Sequence, residues 1–106
     1  MVGALGELWR RGGRIAVGTD AGIGPTKPHD ILPSAAVDLA DAGLTPLEIL
    51  TTLTVSGAEV CRLGQTKGRL RAGYDADVIA VRGDPLADPA ALRDVHTVWR
   101  AGLEVR

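Results

Sequence analysis

Aromatic side chains are scarce in this 106-residue sequence: they make up 3% of it, and phenylalanine is missing altogether. Small domains ordinarily lean on large rings for their cores. Here a core must be assembled from Leu, Val, Ile and Ala, and the chain reads as part of something larger. Cysteine is nearly absent as well. Cys61 stands alone, which excludes an internal disulfide and any zinc site built from a cysteine cluster; a reducing cytoplasm is the simplest compartment. Histidine occurs twice, at His29 and His96, and never as His-x-His. No apolar run approaches the ~20 residues of a membrane span. The opening stretch MVGALGELWRR carries its positive charge after its apolar residues, the reverse of a secretory signal. The formal net charge of -1 leaves no electrostatic case for nucleic-acid or membrane partners. Arg10, Arg11 and Arg14 read as a solvated helix end.

What is present has an α/β rhythm. Leu5 and Leu8 or Trp9 sit at helical spacing, and Gly12 and Gly13 stop that helix. Ile15, Ala16 and Val17, inside RIAVGTD at residues 14–20, predict a short strand buried on both faces, as in a parallel sheet. Residues 20–30 are rich in Gly, Pro and polar groups and read as a loop. Asp30 can cap a helix running to about Ala42, with Pro33 in its first turn and Gly43 as terminator. Ile31, Ala35 and Leu39 share one face of it, with Leu32, Ala36 and Ala40 alongside.

Thr45, Pro46 and Glu48 form a capping-box signature with proline at the first helical position. The spacing predicts one helix from there to about Arg62, burying Leu47, Leu50, Thr54, Ala58 and Cys61, and ended by Gly64. Beyond residue 64 the character becomes mostly β. Gly68 to Leu70 predict a short strand, Ala72 to Asp75 a turn, and Asp77 to Arg82 a buried strand. Residues 83–94 read as a turn-rich loop with one helical turn. Val95 to Arg100, Ala101-Gly102 and Leu103 to Arg106 predict a hairpin. The expected division is therefore 1–63 and 64–106.

Chemistry concentrates at Asp20, in Gly-Thr-Asp-Ala-Gly. A carboxylate at the carboxyl end of a buried parallel strand is where α/β barrels place catalytic groups. Spacing alone equally allows Asp20 to be a turn residue that hydrogen-bonds its own loop. His29 is either a substrate contact or a helix-entry residue beside Asp30, and His96 reads as structural. Lys27 reads as a solvated loop lysine and Cys61 as a small packed hydrophobe. Thr19 and Ser56 have no base partner, so no nucleophile is indicated. The Gly-rich stretch lacks the Lys-Ser/Thr ending of a P-loop and the spacing of a dinucleotide-binding loop.

The ordered set of GTDAG, TPLEILTTLTVSGAEVCRLG, KGRLRAGYDADVIAVRGDPL and VHTVWRAGLEVR resembles the amidohydrolase superfamily, especially its imidazolonepropionase-like and cytosolic dipeptidase-like members. The most specific pieces are Gly68, Leu70, Gly73, Ala76 and Asp77 in one pattern and Val98, Ala101 and Gly102 in another. The resemblance implies an α/β fold: the C-terminal fragment of a (β/α)8 TIM barrel, its last strand and helices, plus a small β-sandwich portion. It implies a hydrolase of carbon–nitrogen bonds in small-molecule substrates, using a divalent metal, often zinc, to activate water. It also implies that Asp20 is both metal ligand and proton-transfer group, with His29 as a candidate substrate contact.

The family's remaining ligands, a His-x-His pair, a bridging Lys or carboxylate and two further histidines, have no counterpart here. A catalytic zinc takes three or more protein ligands, and a complete barrel takes about 250 residues. The expectation is thus an incomplete piece that needs the missing barrel portion or a partner chain. The alternative is a non-catalytic remnant or small interaction module.

Overall fold

The computed structural model describes residues 2–18 and 32–106. Four helices come first: α1 (Val2–Arg10), α2 (Leu32–Asp41), α3 (Pro46–Leu53) and α4 (Val55–Val60). A three-stranded antiparallel sheet follows, ordered β1 (Val78–Val81), β2 (Val95–Arg100), β3 (Leu103–Glu104), with a 3-10 turn at Pro89–Arg93 between β1 and β2. Among the described residues no helix is long and apolar enough to cross a membrane.

The helix ends follow from local chemistry. Past α1, the Gly13 amide donates to the Leu8 carbonyl at 2.9 Å and the Gly12 amide to Trp9 at 3.0 Å. Past α2, Leu44 donates to Leu39 at 3.2 Å and Gly43 to Ala40 at 3.0 Å, while Leu39 and Leu44 are both buried. These are Schellman ends, which place one residue in the left-handed region. Gly12 (φ 82°) and Gly43 (φ 99°) take that position as expected. At the third end the expectation fails. Leu63 donates to Ala58 at 2.8 Å and Arg62 to Glu59 at 3.0 Å, so the left-handed residue is Arg62 (φ 62°) rather than Gly64.

The single helix expected over 45–62 is two helices. Its start is as expected: Thr45 Oγ1 accepts from the Glu48 amide at 3.2 Å and Glu48 Oε1 from the Thr45 amide at 2.8 Å. It breaks at Thr54 (φ -120°, ψ -77°). Thr51, Thr52 and Thr54 each turn their hydroxyls back onto helix carbonyls, of Leu47, Ile49 and Leu50. Such back-bonding bends helices, and three within four residues accompany the break. The buried face differs too. Ile49 and Thr52 are buried, whereas Leu47 is 65% exposed and Thr54 and Cys61 are exposed.

The core is small. Ala36, Leu39, Ala42, Leu44 and Ile49 form it, with Leu5, Trp9, Val17, Leu53 and Leu92 packed around them. Leu92 belongs to the 3-10 turn, which lies against α2 and joins the β part to the helices. Helix α1 approaches α2 through Gly6, where a Cβ would lie 2.1 Å from the Ala42 carbonyl oxygen.

Residues 14–18 make no sheet ladder among the described residues, and they are not buried on both faces. Ile15 is buried and Val17 half-buried, while Arg14, Ala16 and Gly18 are exposed. This period-2 alternation marks an extended segment covered on one side. The short strand expected at 68–70 is irregular, and the 77–82 strand is half-covered, with Ile79 50% exposed. The hairpin is as expected: Trp99 pairs with Glu104 and Arg100 with Leu103. Its Ala101-Gly102 turn has positive φ at both positions (51° and 81°), the geometry that matches strand twist in a two-residue loop. The expected sandwich is, among the described residues, a single sheet layer.

Two substitutions test this packing by chemical denaturation. Gly6→Ala should destabilise by about 1–3 kcal/mol through overpacking, although an alanine in an open helix site would gain about 1 kcal/mol. Arg62→Gly should instead stabilise by about 1 kcal/mol, the scale of the left-handed penalty it relieves.

Candidate active site

Asp20 and His29, with Thr19, Lys27 and Asp30, lie outside the described residues. What is described is the approach to Asp20. The Schellman end of α1 turns the chain into residues 14–18, and Ile15 and Val17 anchor one side of that segment. A groove of about 140 Å³ lies between it and α4, lined by Arg14, Ile15, Ala16, Ser56, Glu59 and Val60. Arg14 Nη1 and Glu59 Oε2 face each other across it at 3.9 Å. Both side chains are substantially exposed, so this pair contributes little to stability.

The other candidates are not brought together into a catalytic set. His96 lies on β2, with Nδ1 2.5 Å from Thr97 Oγ1. Cys61 is exposed at the end of α4 rather than packed as a small hydrophobe. Ser56 lines the groove without an imidazole or amine beside it among the described residues. No group of three or more His, Cys, Asp or Glu side chains among the described residues could hold a metal ion. The donors described here therefore do not fit a metal centre by themselves.

A charge cluster whose role sequence reasoning missed lies elsewhere, at Lys67, Asp75 and Asp77. Lys67 Nζ donates to Asp77 Oδ2 at 2.6 Å and lies 2.9 Å from Asp75 Oδ2. The other oxygen of Asp77 accepts the Ala101 amide at 2.9 Å, and the Gly102 amide donates to the Ala76 carbonyl at 3.0 Å. Asp77 thus ties the segment after α4 to the tip of the β2–β3 hairpin. The Lys67 ammonium, and after it the Ala101 amide, hold the Asp77 carboxyl below its ordinary range; hydrogen bonds to Asp77 and then Asp75 raise Lys67. Gly68 (φ 94°) belongs to the same device. A Cβ there would sit 2.9 Å from both the Ala58 Cβ and the Thr54 carbonyl oxygen. The Gly68–Asp77 pattern is a staple within the second part of the chain, and Gly68 seats it against Thr54 and Ala58 of the first. The Tyr74 hydroxyl, donating to the Gly64 carbonyl at 2.8 Å, reinforces it.

With this geometry in place, comparison with known proteins is decisive. The model of the amidohydrolase family matches residues 2–105. The chain belongs to the amidohydrolase family. It is 35% identical over 97 residues to an ochratoxinase from Aspergillus niger, covering 88% of this chain and 19% of that protein. It is 35% identical over 99 residues to an imidazolonepropionase from Deinococcus deserti, covering 89% and 24%. Among solved structures, an Xaa-Pro dipeptidase with methionine bound in its active site superposes with a TM-score of 0.90 at 28% identity, over 99% of this chain and 25% of that one. The chain spans between 15% and 24% of the length of the curated relatives it matches. Its structural neighbours are amidohydrolase TIM-barrel proteins, of which this amidohydrolase chain matches a part.

The staple has a pH signature. Asp77 is depressed, so its contribution is present above its unfolded pKa and lost as pH falls through the folded value. Lys67 is raised, so its contribution is present below its unfolded pKa and lost as pH rises through the folded value. Asp77→Asn should therefore lower the Tm at pH 7, with the difference from the parent vanishing in strong acid; melts followed by circular dichroism across pH check this.

Proposed function

We propose that this chain is the C-terminal part of a hydrolase that cleaves carbon–nitrogen bonds in cyclic-amide, imidazolone or dipeptide-like small molecules. The observation that carries the reading is the family match over residues 2–105. Residues 1–63 supply the last barrel strand and its helices, and residues 64–106 the small β portion. The remainder of the barrel comes from the same polypeptide or from a partner chain.

In the complete enzyme a divalent metal, zinc in this reading, supplies the Lewis acidity, and most of its ligands come from the remaining barrel. Asp20 is this chain's contribution to the site. A carboxylate held at the end of residues 14–18 takes a proton from the attacking water and returns it to the leaving nitrogen, the work of a general base and then acid. His29, nine residues further along the loop, contacts the substrate. The burial of Ile15 and the packing of Val17 on the core support this role for Asp20, because a proton-transfer group must be held on a rigid element.

The test is made on the chain co-expressed with the Deinococcus deserti imidazolonepropionase lacking its 99 matched residues. Imidazolone, cyclic-amide and dipeptide substrates are assayed. Asp20→Asn should lower turnover by about 10²–10⁴-fold while the assembly still forms and melts as the parent does. Undiminished turnover would remove Asp20 from the mechanism. An assembly that turns over none of the substrates favours the reading of a non-catalytic interaction module.

A further inference from the structure

Strand β2 falls out of step with β1 at His96. Ala80 pairs with Thr97 and Val81 with Val95, so His96 is left outside the ladder as the extra residue of a bulge. A bulge can re-aim the side chain it carries. Here an exposed residue brings its ring nitrogen Nδ1 to 2.5 Å from Thr97 Oγ1. Thr97 is only 5% exposed, and among the described residues its hydroxyl has no other hydrogen-bond partner. With the ring neutral and its proton on Nε2, Nδ1 accepts the Thr97 hydroxyl and both groups are satisfied. A second proton turns Nδ1 into a donor. The hydroxyl must then direct its hydrogen elsewhere, where no second partner is in place, and a buried donor left unpaired is costly. The ring itself is free to leave for water.

The charged groups on the surrounding elements do not share this behaviour. Arg82 at the end of β1 and Asp94 ahead of β2 are paired at 2.7 Å, and Asp77 ahead of β1 is held by Lys67. Arg93 lies in the 3-10 turn, Arg100 on β2, Glu104 on β3 and Arg106 beyond it. Of these residue types and histidine, only imidazole ordinarily changes charge between pH 5 and 8. We propose that His96 and Thr97 form a proton-operated latch on the bulge: the neutral ring holds the Thr97 hydroxyl, and the protonated ring lets it go and loosens the start of β2. The place of the bulge gives the latch its reach. Beside it the Arg82 amide donates to the Asp94 carbonyl at 2.9 Å, and the 3-10 turn just before it carries Leu92 onto the helical core. Acid therefore slackens the joint between sheet and helices, independently of the chemistry assigned to Asp20.

Nuclear magnetic resonance on the 106-residue chain reads both halves of the latch. At pH 8 the ring nitrogens of His96 should report the Nε2–H tautomer, with nuclear Overhauser contacts between the ring and the Thr97 methyl group. By pH 5 those contacts should be lost, and the Arg82 amide should exchange about tenfold faster after correction for its intrinsic rate. Thr97→Val removes the hydroxyl and keeps a side chain of similar shape; His96 should still titrate, while the corrected Arg82 rate no longer depends on pH. His96→Gln supplies a neutral acceptor that does not titrate, and it too should leave that rate independent of pH. The latch is overturned by an Nδ1–H tautomer at pH 8, by ring contacts that persist at pH 5, by an Arg82 amide that does not accelerate, or by an acceleration that survives either substitution. The first three readings come from the unsubstituted chain, so they decide the matter even where a substitution unfolds it.

Discussion

The fold turns on the carboxylate of Glu48. One oxygen accepts the Thr45 amide and closes the capping box of α3; the other accepts the indole N–H of Trp9, on α1. A local capping device thereby becomes a tertiary one, joining residues 39 positions apart. Hydrogen bonds from the Thr45 backbone, then from Trp9 and the Thr45 hydroxyl, lower the Glu48 pKa, so the charged form that makes the contact is also the form present at neutral pH. With α1 pinned to the start of α3 and pressed on the end of α2 through Gly6, the Schellman turn at Gly12 and Gly13 leads into residues 14–18 from a fixed helix. The helix that leads into residues 14–18 is thereby held by a glutamate and a tryptophan 39 positions apart.

Polar devices of this kind compensate for a thin core. Six apolar residues are buried among the described ones, and the bulkiest of them are Ile and Leu. A core without large rings cannot dictate the path of long connections. Instead the path is dictated by donors and acceptors: three Schellman ends, one capping box, the Lys67–Asp77–Ala101 staple and the Tyr74–Gly64 bond. Each acts over a short stretch or between two turns, and none needs a surrounding barrel. That explains how a chain matching a quarter of its neighbour can keep the neighbour's local shape.

What was legible in the sequence divides along the same line. The capping box at Thr45 and Glu48, the stops at Gly12 and Gly43 and the Ala101-Gly102 hairpin are set by residues within a few positions of one another, and they were read correctly. The break at Thr54 was not, because apolar spacing continued across it while the threonine hydroxyls competed for the helix carbonyls. The left-handed Arg62 gave no signal, since glycine two residues later offered a more ordinary stop. The role of Asp77 was hidden for a different reason. Its partners, Lys67 and Ala101, lie 10 and 24 residues away, and no periodicity links them. At the candidate site, Asp20 stands out by its place after an apolar run and before a Gly-rich loop, and the family pattern strengthens that reading. The one-sided burial of its approach was invisible in the uninterrupted run of Ile15, Ala16 and Val17.

On the functional reading proposed above, ligand supply alone would not complete the site. A carboxylate that shuttles a proton must stay within about 0.5 Å of its working position. In a closed barrel every strand is paired along both edges; among the described residues the segment 14–18 makes no ladder and is fastened by the buried Ile15 and half-buried Val17. On that reading the complete enzyme needs the neighbouring barrel strands as well as the missing ligands, and a partner that supplied ligands without strands would restore metal binding before turnover.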